Sequence, residues 1–187
     1  GELEDYFENF ARRHPELVCC MLRYQPEIAA DLDSPLVRYL TLPVVPVQLG
    51  FDPRLQLLHA DDATGAIEAA VRHPVRGAVN VAPSGAVSLS RILRIAGKPA
   101  LPIPHPLFGR ALTQLGRQLK MGGTYDDGVR LLRYGRGVDN ARLREEVGYE
   151  PRFDALGAVR DFAGQAASRR IVPVPGPRTV ADALARF

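Results

Sequence analysis

Apolar positions recur every three to four residues at Leu3, Tyr6, Phe7 and Phe10, which predicts a helix over residues 2–14 with one buried stripe, ended by Pro15. Val18–Leu22 is a short, wholly apolar run of the kind that forms a buried parallel strand. Ser34 before Pro35 supplies a helix cap and a first helical position. Pro43 and Pro46 keep the next piece extended and argue against a central strand there. The rhythm then changes within QLLHADDATGAIEAAVRH, residues 56–73. Leu55, Leu57 and His59 alternate with Gln56 and Leu58 as in a strand, and Asp61 or Asp62 is placed to cap the helix that follows. Ala63, Ile67, Ala70 and Val71 form that helix's apolar stripe, closed by Pro74.

GAVNVA at 77–82 reads as another strand, and after the turn PSG, Ser88 caps the helix SLSRILRIAG. Strand, helix, strand, helix with short connections is the pattern of an α/β fold. Beyond Lys98 the texture changes: PALPIPHP is a proline-rich connector, and HPLFGRALTQLGRQLK is a helix turning Leu107, Ala111, Leu115 and Leu119 inward. GGT breaks it before a helix from about Asp126 to Leu132. A short extended piece at Arg136–Val138 precedes the helix ARLREEV, capped by Asp139 and ended at Gly148. A last helix spans about 154–167, and a loosely held tail carries VPVPGPR.

Composition narrows the function classes. At 187 residues and 46% hydrophobic content the chain suits one globular domain or a large piece of one. No apolar window is long enough to span a membrane, and the acidic start GELEDYFENFARRHPE is no secretion signal, which points to the cytoplasm. Cys19 and Cys20 are sequence neighbours, poorly placed to bond each other, and read as core residues rather than a redox pair. Of 24 basic residues only Lys98 and Lys120 are lysines. The arginines alternate with acids instead of forming a patch interleaved with aromatics. Arg110, Arg117 and Lys120, or Arg130 and Arg133, share helix faces that read as solvated, so nucleic acid is not expected as a partner. His14, His59, His73 and His105 lack metal-ligand spacing. Ser84 and Ser90 lack a nucleophile-elbow context.

Four landmarks, in order, carry a resemblance. ENFARRHPELVCCMLR, LQLLHADDATGAIEAA, GAVNVAPSGAVSLSRIL and DNARLREEVGYEPR resemble successive segments of the NAD-dependent epimerase/dehydratase family, the extended short-chain dehydrogenase/reductases, across residues 1 to about 163. The resemblance covers that family's C-terminal half. It implies an α/β fold made of the C-terminal part of a Rossmann-like parallel sheet plus a mostly helical substrate-binding lobe, with the N-terminal dinucleotide-binding half absent. Residues 1–98 would hold the last strands and helices of the sheet and the start of the lobe, 99–170 the lobe, and 171–187 the tail.

What the resemblance implies for chemistry follows residue by residue. Tyr24 and Gln25 would lie beside the cofactor, NAD or NADP. Gln25, Pro26, Glu27, Gln56, His59 and Arg136 would line the substrate pocket, and Asp62 would cap the helix and pin the loop. Two positions keep a structural alternative: His59 as a histidine satisfied by a backbone carbonyl, and Arg136 as a surface residue. The family's acid/base pair, Tyr-x-x-x-Lys, has no counterpart here. The six tyrosines are followed four residues on by Phe10, Ile28, Pro43, Val129, Val138 and Phe153. No catalytic residue and no metal ligand is assigned. Pro26 stands at the family's usual asparagine position, Ala29 and Ala30 replace its usual glycine and proline, and Leu55 stands where many members carry an anion-gripping arginine, Arg54 being one residue off.

The expectation is therefore the substrate-binding half of an NAD(P)-dependent sugar-nucleotide epimerase/dehydratase-like oxidoreductase, truncated before the catalytic motif and inactive alone. Its partners would be the missing dinucleotide-binding half and a small hydroxylated or nucleotide-sugar substrate, in a parent able to form a homodimer. Two alternatives are part of a non-catalytic dinucleotide-binding sensor of the same fold, and an independent α/β module. The isolated chain should bind NAD weakly at best, and should self-associate through apolar surface that a half sheet exposes.

Overall fold

The computed structural model describes residues 2–118, 130–132 and 134–169. The described elements run α1 (Glu2–Arg13), β1 (Cys20–Tyr24), β2 (Glu27–Ile28), α2 (Pro35–Leu40), β3 (Val45–Gln48), β4 (Arg54–Leu55), β5 (Leu58–His59), α3 (Ala60–Arg72), β6 (Gly77–Val81), β7 (Val87–Ser88), α4 (Leu89–Ile95), β8 (Ala100–Ile103), α5 (His105–Gln118), α6 (Ala141–Glu145) and α7 (Ala155–Arg169). The break at 122–124, most of the helix expected from Asp126, and the tail 171–187 lie outside the described residues, as do Leu119, Lys120 and Arg133.

Four short pairings organise the strands. β1 pairs with β6, β2 with β5 and β3 with β8, all parallel, while β4 pairs antiparallel with β7. The β1–β6 and β2–β5 pairs are continuous through the chain, because Pro26 O, between β1 and β2, accepts the amide of Leu58 at 2.9 Å. The alternation in LQLLH distributes side chains to two cores. Leu55 and Leu57 enter a larger cluster with Ile28, Tyr39, Leu40, Leu89, Ile92, Phe108 and Phe162, while Leu58 joins Ala63, Ala66, Val79, Val81, Leu143 and Val147.

Several expectations need correction. The proline-rich connector at 99–106 contains strand β8, and β8 pairs with β3, the other proline-bearing segment. A two-stranded sheet has only edge strands, where a missing N–H does no harm. On α3 the buried face is Asp62, Ala63, Ala66 and Ala70, whereas Ile67 and Val71 are 51% and 76% exposed. Alanines let the helix lie close to the strands, and that closeness outweighs burial of the larger side chains. The α1 helix forms as expected, yet none of its residues is buried: Leu3 and Tyr6 are 77% and 68% exposed.

The caps also differ. Ser34 caps α2 as expected, its Oγ accepting from Val37 N at 3.2 Å. At α4, Ser88 occupies the cap position without a capping bond, and Asp52 takes over by accepting from Ser90 N (2.8 Å) and Ser90 Oγ (2.6 Å). Those bonds and nearby Arg54 hold the Asp52 carboxyl below its usual range despite the opposing effect of partial burial. Asp139 does serve α6, its Oδ1 accepting from Ala141 N at 3.1 Å. Neither Asp61 nor Asp62 caps α3; His59 does.

Candidate functional site

The carboxyl ends of β1 and β6 meet at one rim, the place where ligands bind in open parallel sheets. The rim is built from the backbone upward. Gln25 N donates to Val81 O at 3.0 Å as the chain leaves β1. Gln56, buried between β4 and β5, donates through Nε2 to Pro83 O (2.7 Å) and accepts through Oε1 from Val138 N (2.9 Å). Asn140 Nδ2 donates to Ala82 O at 2.8 Å, and Asn80 Nδ2 to Asp139 O at 3.0 Å. The structure thus brings Tyr24, Gln25, Pro26 and Gln56 of the expected site into one hydrogen-bonded neighbourhood, with the 136–140 segment laid across it.

Gln25 is 3% exposed, and its Oε1 has no hydrogen-bond partner. A buried acceptor without a donor is uncommon in folded proteins and calls for a physical reason. Tyr24 is half-buried and donates to Ala63 O at 3.3 Å. Its phenol is pushed up to about 12, chiefly by burial, with the Glu27 carboxylate adding to it. It therefore stays neutral at physiological pH, its proton directed at Ala63 O while the phenolic oxygen can still accept a hydrogen bond.

Arg136 is exposed and is tied to the site through its backbone, its N–H reaching Arg54 O at 3.2 Å and its residue bridging in parallel to Leu55. Arg54 is exposed as well, while Leu55 is fully buried, so the strand sends the leucine inward and the arginine to solvent. Two guanidinium groups thus emerge from adjoining segments. Gly135 makes that approach possible: a Cβ there would stand 2.4 Å from Arg54 O, and its φ of +70° is one that side-chain-bearing residues rarely adopt.

His59 and Asp62 are placed together by the other half of the junction. His59 Nδ1 accepts from Asp61 N (3.1 Å), so the ring proton is on Nε2, which donates to Asp161 Oδ2 at 3.0 Å. The ring stacks on Phe153 with centroids 4.1 Å apart, and Gln165 Nε2 braces the same Asp161 oxygen at 2.6 Å. Both ring nitrogens are therefore committed within the protein, one as the cap of α3 and one as a link to α7. Asp62, fully buried, accepts from Tyr149 Oη (2.9 Å), Arg152 N (2.8 Å) and Phe153 N (3.0 Å). It pins the loop that carries the ring stacked on His59.

Asp161, Phe153, Tyr149 and Asn140 were not foreseen as parts of this junction. Asp161, in the helix after DNARLREEVGYEPR, and the aromatics Tyr149 and Phe153 carry no spacing that ties them to a histidine some 90 to 100 residues earlier. A cleft of about 210 Å³ lies apart from these residues, between Leu40, Ala96, Lys98, Phe162 and Ala166. It is smaller than the roughly 300 Å³ at which small-molecule sites begin. Among the described residues no cluster of His, Cys, Asp or Glu is arranged to hold a metal, and no helix is long and apolar enough to cross a membrane.

No family model matches the chain. An uncharacterized protein of Mycobacterium tuberculosis is 36% identical over 180 residues, covering 96% of this chain and 46% of the relative, so the chain spans about half the length of such relatives. UDP-glucose 4-epimerase of Thermotoga maritima, solved with UDP-glucose, superposes with a TM-score of 0.60 at 17% identity, over 89% of this chain and 51% of that one. dTDP-glucose 4,6-dehydratase of Bacillus anthracis, solved in complex with NAD, gives a TM-score of 0.60 at 12% identity, over 90% of this chain and 50% of that one. The chain is an α/β protein whose fold is shared with about half of a 4-epimerase and of a 4,6-dehydratase of nucleotide sugars.

Proposed function

We propose that this chain is the substrate-side half of an NAD(P)-dependent oxidoreductase of the epimerase/dehydratase kind, acting on a nucleotide sugar or a similar small hydroxylated substrate. The observation that carries the reading is the fold match over about nine-tenths of the chain but half of each neighbour. The rim supports it locally. Gln25 offers a buried acceptor that lacks a donor, where an amide or hydroxyl of a bound molecule would complete the bonding. Arg54 and Arg136 offer forked donors suited to a diphosphate.

In this reading the chain supplies shape and polarity. Gln25, Pro26, Glu27 and Gln56 form the floor of the pocket, and Tyr24 and Gln25 face the nicotinamide side. The cofactor would supply transient hydride transfer, and the acid/base pair would come from a dinucleotide-binding half. His59 holds the wall from behind, with α3 on one nitrogen and α7 on the other.

Titration of UDP-glucose into the isolated chain, followed residue by residue in amide spectra, tests the proposal. Shifts should centre on residues 24–27, 54–56 and 136–138, and Arg54→Ala with Arg136→Ala should weaken binding about tenfold or more. Shifts gathered elsewhere would overturn it. NAD alone should bind no better than weakly, and micromolar affinity would contradict the division of labour. Pro26, in place of the family's usual asparagine, favours a second reading in which the same fold binds a dinucleotide without catalysis. Epimerase or dehydratase turnover by a polypeptide joining this chain to its dinucleotide half decides between them.

A further inference from the structure

The cleft of about 210 Å³ opens where three helices meet, away from the rim. α2 ends against it at Leu40, Lys98 borders it just after α4, and α7 lends it Phe162, Ala163 and Ala166. Leu40 and Phe162 are fully buried and make an apolar floor. The alanines of α7 keep the space above that floor open. Lys98 Nζ donates to Thr41 O at 3.0 Å, which holds the ammonium at the edge and lays its methylene stem along the wall. A closed apolar cavity of about 150 Å³ takes up a benzene ring. This cleft therefore has room for a phenyl ring with a smaller apolar side chain beside it, which is a protein-sized occupant rather than a cofactor-sized one.

The chain carries such side chains a short way further on. Its sequence runs for 18 residues past Arg169, where α7 ends two positions beyond Ala167 at the border of the cleft. In TVADALARF, residues 179–187, Val180, Ala183, Leu184 and Phe187 recur at the three-to-four spacing of one helical face. Thr179 and Asp182 open that stretch in the T-x-x-D pattern of a capping box. Pro173, Pro175, Gly176 and Pro177 lie between α7 and this stretch, a composition that favours a reversal of direction. The reach is ample: the eleven residues from Arg169 to Val180 span up to about 36 Å, and the way back along α7 to Phe162 is about 10 Å. The mycobacterial match covers 96% of this chain and so takes in most of these 18 residues, wherever its ends fall.

We infer that residues 179–187 return along α7 and dock in this cleft of the same chain, with Leu184 and Phe187 as the side chains that enter it. The segment then acts as a strap across α2, the end of α4 and α7, which come from widely separated parts of the sequence. A second copy's segment has the same chemistry, but a short tether gives the chain's own segment an effective concentration in the millimolar range. The chain's own segment therefore wins at ordinary protein concentrations. The inference stands apart from the proposed function, because the cleft shares no residue with the rim at 24–27, 54–56 and 136–138.

Hydrogen exchange on the full chain provides the test. The amides of Leu184 and Phe187 are expected to exchange at least about tenfold more slowly than in a synthetic TVADALARF peptide. Leu184→Asp combined with Phe187→Asp should abolish that protection and shift the amide signals of Ala163, Ala166 and Lys98. Ala163→Leu should release the segment from the other side, by filling the cleft while the far-UV spectrum of the chain is kept. Ala185→Asp, on the opposite face of the segment, should leave the protection unchanged. The inference falls if Leu184 and Phe187 exchange as they do in the peptide, or if Ala185→Asp is as disruptive as the paired change. It falls equally if Ala163→Leu leaves the protection in place, or if the protection fades on dilution, which would put one copy's segment in another's cleft.

Discussion

Replacing Asp62 with alanine removes the acceptor for three donors at once: Tyr149 Oη, Arg152 N and Phe153 N, at 2.8–3.0 Å. Tyr149 is half-exposed, so its hydroxyl turns to water at little cost. The two amides are held in a loop around a fully buried site and cannot. An unmet buried donor costs about 1–3 kcal/mol, and hydrogen bonds to a charged acceptor lie at the upper end of the usual range. Asp62 also occupies the first turn of α3, where a negative charge adds a few tenths of a kcal/mol or more. The total is about 3–4 kcal/mol, a large share of the 5–15 kcal/mol that holds a typical domain.

For a chain of this size each kcal/mol shifts Tm by about 2–4 °C, so Asp62→Ala should lower it by about 6–16 °C. Asp62→Asn should fall between, at about 2 kcal/mol, because its oxygen still serves one amide while its NH₂ opposes the other. Urea unfolding followed by far-UV circular dichroism measures the loss. The His59 ring signals should shift as well, since the pinned loop carries the Phe153 ring stacked on it. An Asp62→Ala loss below about 1 kcal/mol, with His59 signals unmoved, would refute the reasoning.

Gly65→Ala should destabilise by about 1–3 kcal/mol, since a Cβ there would lie 2.3 Å from Tyr149 Oη and 2.7 Å from its ring; Tyr149→Leu in the same chain should restore the Tm. Gly135→Ala should cost about 2 kcal/mol or more through its positive φ and its collision with Arg54 O, and the UDP-glucose response at Arg136 should vanish in amide spectra. The Tyr149 phenol is raised from 10.0 to about 12, first by burial and then by its bond to the Asp62 carboxylate. A group whose folded pKa is raised contributes stability in full below its unfolded value and loses it above. Stability should therefore hold to about pH 10 and fall between 10 and 12, and Tyr149→Phe should flatten part of that fall in alkaline unfolding curves.

Most elements of the fold were legible because they follow local rules. The alternation in LQLLH sends Leu57 and Leu58 to different cores, and Ser34–Pro35 opens a helix as its chemistry requires. The failures came where tertiary geometry overrode a local preference. Asp61 and Asp62 are better caps than histidine by type, yet His59 takes the role because Asp161 and Phe153 hold its ring in line with the helix. Ile67 and Val71 have the right spacing for a core stripe, but Ala63, Ala66 and Ala70 on the neighbouring face allow closer packing. At the candidate site the strand ends and Gln56 were readable as a neighbourhood. The tie from Gln56 to Val138 spans 82 residues and has no signature in either segment.

The β3–β8 pair ends differently from its neighbours. Val45 N donates to Pro99 O and Leu49 N to Ile103 O, so residues 45, 47 and 49 face 99, 101 and 103. Pro46 and Pro102 then fall on the outer margins, each at a place where another residue would offer a hydrogen. Pro46 is buried with its carbonyl accepting from Tyr39 Oη at 2.6 Å, so that flank is already closed, and a stray strand approaching the exposed Pro102 flank would meet a gap in the row it needs to match. A proline, which disrupts a strand's interior, thus acts here as insulation, making the exposed margin of this pair a poor template for a further strand.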